Sequence, residues 1–300
     1  MTLDPIARPS GALAMVAMDQ RDSLTTMFAR AGVEAGPADL TEFKLAVARA
    51  LGPLASGFLI DHAHGYDRLR AERLLPDTTG LILAADALDQ QPGGPVDDTD
   101  LDPVVLAPDF DLAGVSALKL LLIWRDDERR AERVELARRF VAAAEERGLL
   151  SVLEPVVQPA AGREDGFDRE EAIRTAAGEL SGVGQSLYKV QVPLFGRAPG
   201  DELDRACAAL DECIQGPWVV LSQGVAADDF AGAVTAACRA GASGFLAGRA
   251  LWADVVGRSD VDRALEQVSV PRLRRLTEIV DDLATPWNER TGNERTGNGR

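Results

Sequence analysis

Three hundred residues with 46% hydrophobic content are enough to bury one large core, and α/β barrels reach this size as a single domain. A net charge of −16 leaves no basic stripe for a phosphate backbone and opposes an anionic membrane surface, so nucleic acid and membrane are set aside as partners. An anionic substrate would need a local cationic pocket against this field.

The opening stretch 1–11 has no basic region followed by an apolar run, so no signal peptide is expected. No apolar run approaches the roughly 20 residues of a membrane span. Cys207, Cys213 and Cys238 are odd in number and lack zinc spacing, which reads as buried thiols in a reducing cytoplasm.

A continuous apolar run, 12–18, ends in Asp19-Gln20-Arg21 and fits a first parallel strand whose polar residues emerge at its C-terminal end. Residues 23–30 and 39–51 follow a helical period, with Asp39 as a cap for the second and Glu42 three residues on. Residues 57–61 repeat the pattern of apolar strand then acid, at Asp61, and 80–86 repeat it again; 67–74 between them is helical. The rhythm breaks over 87–114, rich in Pro, Gly and Asp, which reads as a long excursion serving as a lid or an interface loop. A strand over 116–124 carries Lys119, a charged helix over 127–147 stops at Gly148, and a strand over 149–157 contains Glu154-Pro155. Asp168 caps a helix that ends near Leu180. The sixth strand, 186–193, carries Lys189; a helix follows over 201–214. The seventh, 218–224, ends in Ser222-Gln223-Gly224, and after a helix over 226–240 the eighth, 244–249, ends in Gly248-Arg249. A final helix covers 260–284. The domain is expected to span 1–286, and the repetitive tail 287–300, with its tandem Asn-Glu-Arg-Thr-Gly, is expected to be disordered. Eight strand–helix units predict a (β/α)8 TIM barrel; a doubly wound sheet would carry a glycine-rich phosphate turn after its first strand, and none occurs.

Only three lysines, Lys44, Lys119 and Lys189, stand against 29 arginines. Arginine does not give up its proton, whereas a desolvated lysine can, and its amine is then a nucleophile. Lys189 and Lys119 both lie inside apolar strands. Buried alone each would be costly; facing one pocket with Asp19 and Glu154 they form a network suited to imine chemistry, in which burial and a second cation favour a free amine and a carboxylate moves protons. Gln20, Arg21 and Asp61 sit at neighbouring strand ends, as candidates for substrate contact. Ser222, Gln223, Gly224, Gly248 and Arg249 offer amides, a hydroxyl and a guanidinium where barrels often hold phosphate. Asp19 or Asp61 alone could be a cap, and Gly224 alone a turn. His62 and His64 are the only histidines; a zinc site wants a third ligand, so no metal and no cofactor is expected.

Ala17-Met-Asp-Gln-Arg21, Ala117-Leu-Lys-Leu-Leu121, Leu153-Glu-Pro-Val-Val157, Leu187-Tyr-Lys-Val-Gln-Val-Pro193, Leu221-Ser-Gln-Gly-Val225 and Ala247-Gly-Arg-Ala-Leu-Trp252 resemble the class I aldolases related to tagatose-1,6-bisphosphate aldolase. The runs 121–128 and 241–249 are similar to the subgroup acting on 6-deoxy-6-sulfofructose 1-phosphate. The resemblance covers about residues 10 to 284 and implies a metal-free TIM barrel. It would cleave that sulfosugar reversibly to dihydroxyacetone phosphate and 3-sulfolactaldehyde. Lys189 falls on the Schiff-base position, Lys119, Glu154 and Asp19 on the polar network around it, and Ser222, Gly224 and Arg249 on anion-binding positions. A cytoplasmic homo-oligomer is implied as well. Gln223 stands where the resemblance implies a small residue and Gln191 where the family often has an acid, and the His62-Ala-His64 stretch departs from the family pattern as well. A bisphosphate aldolase or a sulfosugar transaldolase would share the lysine, and a barrel that binds a sugar phosphate without turnover is a third possibility.

Overall fold

Eight of the apolar runs close into a parallel barrel, in the order β1-β10-β9-β8-β7-β6-β3-β2, in this computed structural model, which describes residues 2–199 and 201–290. The barrel strands are β1 (Leu13–Met18), β2 (Gly57–Ile60), β3 (Gly80–Ala84), β6 (Val115–Trp124), β7 (Leu150–Val157), β8 (Leu187–Gln191), β9 (Trp218–Leu221) and β10 (Gly244–Ala247). The helices outside are α1 (Asp22–Arg30), α2 (Pro37–Leu51), α3 (Tyr66–Ala71), α4 (Arg130–Glu145), α5 (Arg169–Leu180), α6 (Glu202–Asp211), α7 (Ala227–Ala240) and the short α8 (Arg249–Trp252). A last helical run joins α9 (Val261–Ala264) and α10 (Val270–Leu283) through a π turn at Leu265–Ser269. The (β/α)8 TIM barrel read from the sequence is the fold observed.

Both faces of these strands are covered, which is why they read as unbroken apolar runs rather than alternating ones. Alternation survives in the packing. Leu13, Met15, Ala17, Leu59, Ile82, Ala84, Ala117, Val152, Leu187, Val219 and Leu246 pack together inside the barrel, with Leu3 and Ile6 beneath them as a floor. The intervening residues, such as Val16, Phe58, Leu118, Tyr188 and Phe245, pack outward against the helices. The seam between β1 and β10 depends on a missing side chain: a Cβ on Gly244 would stand 1.9 Å from the Leu13 carbonyl oxygen.

Three expectations are corrected. The 87–114 stretch holds an antiparallel ribbon, β4 (Asp86–Gln90) with β5 (Val96–Leu101), in which Asp86 faces Leu101. Its sequence hides the strand, because β5 is half aspartate, a poor strand former. Neighbouring charges offset this, with Arg129 Nη1 2.5 Å from Asp98 Oδ2. The ribbon is tied to the rim through Arg125 Nη1, which donates to the Asp97 carbonyl (2.6 Å), and Gln158 Nε2, which donates to the Val96 carbonyl (2.9 Å). Secondly, α2 begins at Pro37, before Asp39; the Asp39 carboxylate reaches back to accept from the Gly36 N–H at 2.8 Å. Thirdly, the tail boundary falls four residues early. Trp287 N–H donates to the Gly11 carbonyl (3.1 Å), and Arg290 bonds the carboxylate of Asp211 and the carbonyls of Gly216 and Gly241. A tryptophan and an ion pair fasten a segment whose repetitive composition suggests disorder. The rest of the predicted disordered tail, 291–300, lies outside the described residues.

Candidate active site

Counting upward by twos from the apolar interior reaches the polar residues of the mouth. Above Leu13, Met15 and Ala17 comes Asp19; above Ile82 and Ala84, Asp86; above Ala117, Lys119; above Val152, Glu154; above Leu187, Lys189. The same alternation that fills the barrel with methyl groups thus sets the charged groups on top of them.

Lys189 is 3% exposed, and its Nζ lies 2.9 Å from Glu154 Oε1. The other oxygen of that carboxylate, Oε2, is 2.9 Å from Lys119 Nζ, so Glu154 bridges the two lysines. The hydrogen bonds of Lys119 go to Asp19 Oδ2 (2.7 Å) and Asp86 Oδ2 (3.0 Å). Burial by itself pushes the Lys119 ammonium down, but Asp19, Asp86 and Glu154 outweigh it and hold it well above the usual lysine range. Burial pushes Asp19 up; Lys119, then Lys189 and Arg21, overcome this and hold it well below the usual carboxylate range. Asp19 is therefore a fixed charge, and Glu154 is the carboxylate in contact with Lys189.

Asp86 is a member of this cluster that the sequence reading passed over. Its carboxylate also accepts from the Leu121 N–H (3.0 Å) and from Arg21, whose other arm donates to the Asp86 carbonyl at 2.9 Å. Arg21 is thus committed to Asp86 rather than open to an anion. Asp61 is not brought to Lys119 or Lys189 either. It is fully buried, pairs with Lys44 of α2 and accepts from the His64 N–H (2.9 Å), and so anchors the turn after β2. Burial lowers the Lys44 ammonium below the usual lysine range despite that pair. His62 Nε2 contacts Asp102 Oδ2 at 3.0 Å.

The ends of β9 and β10 stand beside β8. Gly224 holds a left-handed turn (φ +78°) after Ser222, whose hydroxyl has no partner among the described residues; Gln223 is half-buried in the same turn. At Gly248 a side chain would meet the Ala17 carbonyl oxygen at 2.6 Å and Gln20 Nε2 at 3.0 Å, so glycine lets β1 and Gln20 close in while the chain turns into α8. Arg249 follows, with no hydrogen bond or ion pair among the described residues; its side chain opens to the mouth. The protein around it lowers the guanidinium below the ordinary arginine value, against the pull of Glu154 and Asp19.

These shifts fix a pH dependence. The Asp19 value lies below its ordinary 3.8 in the folded protein, so its contribution to stability is in place above 3.8 and is lost as pH falls through the folded value. The difference in Tm between wild type and Asp19→Asn is expected to stay constant from about pH 5 to about pH 8 and to shrink below about pH 4. A difference unchanged at pH 2.5 would remove the coupling from Asp19 to its cations.

A barrel with two lysines bridged by a carboxylate at the C-terminal strand ends has the form of an enzyme that works on carbonyl compounds. Residues 13–254 match the DeoC/LacD family of aldolases. The chain belongs to this family, and it is an aldolase, a lyase. Similar proteins include the tagatose 1,6-diphosphate aldolase of Listeria monocytogenes, 27% identical over 315 residues covering 95% of this chain and 92% of that protein. Tagatose 1,6-diphosphate aldolase 1 of Enterococcus faecalis is 29% identical, over 85% and 84% of the two chains. Among solved structures, fructose-bisphosphate aldolase from Plasmodium falciparum aligns with a TM-score of 0.69 at 14% identity, over 94% and 95% of the two chains. An archaeal fructose-1,6-bisphosphate aldolase, with its catalytic lysine bound to the carbinolamine intermediate, aligns at 0.57 and 17%, over 92% and 96%. Among the described residues no helix is long and apolar enough to cross a membrane.

Proposed function

We propose that the chain cleaves a ketohexose 1-phosphate through an imine on Lys189, and that the preferred substrate carries a sulfonate at C6: 6-deoxy-6-sulfofructose 1-phosphate, giving dihydroxyacetone phosphate and 3-sulfolactaldehyde. The observation that carries the imine is the bridge Lys189–Glu154–Lys119, with 2.9 Å at each contact, above an apolar floor. Glu154 takes a proton from Lys189, the free amine adds to the C2 carbonyl, and the protonated Glu154 returns the proton as the carbinolamine loses water. Cleavage then needs a base for the C4 hydroxyl, again Glu154, while the C3–C4 electron pair passes into the protonated imine. The enamine left after the aldehyde departs is reprotonated at C3 and the imine hydrolysed.

Charge inventory supports the sulfonate. Arg249 is the uncommitted guanidinium beside Ser222 and Gly224, and suits the 1-phosphate. Across the mouth Arg125 donates to two neutral acceptors, the Asp97 carbonyl and Gln158 Oε1 at 2.5 Å, and Asp127 is the acid that feels its charge. One shared cation matches the single charge of a sulfonate better than the near-double charge of a phosphate. The second reading is a tagatose or fructose bisphosphate substrate, the tagatose form favoured by the names of the relatives at 27% and 29% identity. Assays of the sulfosugar phosphate, tagatose 1,6-bisphosphate and fructose 1,6-bisphosphate side by side should give the highest kcat/KM for the first. Equal or greater kcat/KM for either bisphosphate overturns the sulfonate assignment and leaves the imine standing.

A further inference from the structure

We propose that Gln191 is a specificity-determining residue whose side-chain NH2 donates a hydrogen bond to an oxygen on the substrate's carbon chain. This rests on the Lys189 imine reading.

Gln191 lies two residues beyond Lys189 on β8 and therefore on the same inward side of the strand. It is 5% exposed, and its Oε1 accepts from the Val157 N–H at 2.8 Å. That bond fixes the amide: the oxygen faces β7, so Nε2 faces away from it. Nε2 has no partner among the described residues and is not closed off from solvent, so it meets the open space of the mouth.

The reason a side chain meets Val157 at all lies in Pro155. Ser186 N–H donates to the Ser151 carbonyl, so odd positions of β7 turn their backbone groups toward β8; Gln158 N–H donates to the Trp124 carbonyl, so even positions turn toward β6. Pro155 is odd and has no N–H to offer. The β7–β8 ladder accordingly stops after Leu153↔Tyr188, just below Glu154 and Lys189. Beyond that level two side chains cross the gap, Lys189 to Glu154 and Gln191 to Val157.

Holding Val157 requires only an acceptor, which a carboxylate supplies equally well. The amide adds a donor without charge, aimed at a space that must admit a polyanion rich in hydroxyl oxygens. A carboxylate there would lose the donor.

Gln191→Glu separates the two roles because it keeps the Val157 bond. Its Tm should stay near that of wild type, while kcat/KM for aldol cleavage falls at least about tenfold at neutral pH. The gap to wild type should narrow as pH is lowered, since a protonated carboxyl regains a donor. A Gln191→Glu enzyme within twofold of wild type at neutral pH reduces Gln191 to a stitch between strands and overturns the proposal. Should that variant fail to fold, the wild-type adduct trapped with borohydride from the ketose phosphate gives the answer crystallographically. Nε2 within about 3.2 Å of a substrate oxygen supports the contact, and no oxygen within about 4 Å rejects it. Absence of any adduct on Lys189 in wild type would instead defeat the imine reading, and the Gln191→Glu kinetics would still decide the contact.

Discussion

Replacing Lys189 by methionine is expected to lower kcat for aldol cleavage by roughly 10^4-fold or more, because the bond that forms the imine then has no nitrogen to form it. Methionine follows the same course as the lysine stem, so the buried position stays filled. Glu154 keeps Lys119 at 2.9 Å, so the change leaves no carboxylate without a cation. Lys119 is a poor substitute nucleophile. Its ammonium is gripped by three carboxylates and held far from deprotonation. The measurement pairs turnover with borohydride trapping followed by peptide mass analysis. Wild type should gain a reduced adduct on Lys189, and the variant should gain none anywhere in the cluster. Turnover retained within about tenfold would refute imine catalysis on this residue.

Lys119→Met should produce the largest loss of stability at the site. Asp19, Asp86 and Glu154 carry three negative charges against three positive ones, Lys119, Lys189 and Arg21. Removing the central cation leaves a net negative charge on carboxylates that are 1% to 11% exposed. Breaking a buried ion pair in this way costs about 3–5 kcal/mol. Urea unfolding should read that loss, and adding Asp86→Asn to Lys119→Met should recover part of it by deleting one uncompensated carboxylate. A Lys119→Met protein as stable as wild type would mean that the three carboxylates are already satisfied by other donors.

The barrel could be read from the chain because eight apolar runs of similar length, each ending in polar residues, recur along it with helical stretches between most of them. The cluster of Lys189, Lys119, Glu154 and Asp19 was equally legible: in a chain that uses arginine for surface charge, two lysines inside apolar strands need partners nearby. Asp86 was passed over although it carries the period-2 signal, two residues past Ala84 as Asp19 is past Ala17. It was read as the acid ending the third strand but not carried into the list of site residues, because no lysine lies near it along the chain. Arg21 and Asp61 were assigned to substrate by position at strand ends. What committed them elsewhere, the carboxylate of Asp86 and the ammonium of Lys44, comes from segments 65 and 17 residues away, and no local pattern announces such pairings. The Val157–Gln191 bond is hidden for a related reason: it follows from the orientation of Pro155 in the ladder, which needs the register of three strands.

The floor of stacked methyl groups beneath Lys189, sealed by Leu3 and Ile6, makes the barrel a vessel with one door. Under imine catalysis, the water that must finally free the lysine has to arrive by the path along which the aldehyde leaves. Departure of the first product thus clears the way for hydrolysis of what remains, and the two fragments exit in a fixed order, aldehyde before ketone phosphate.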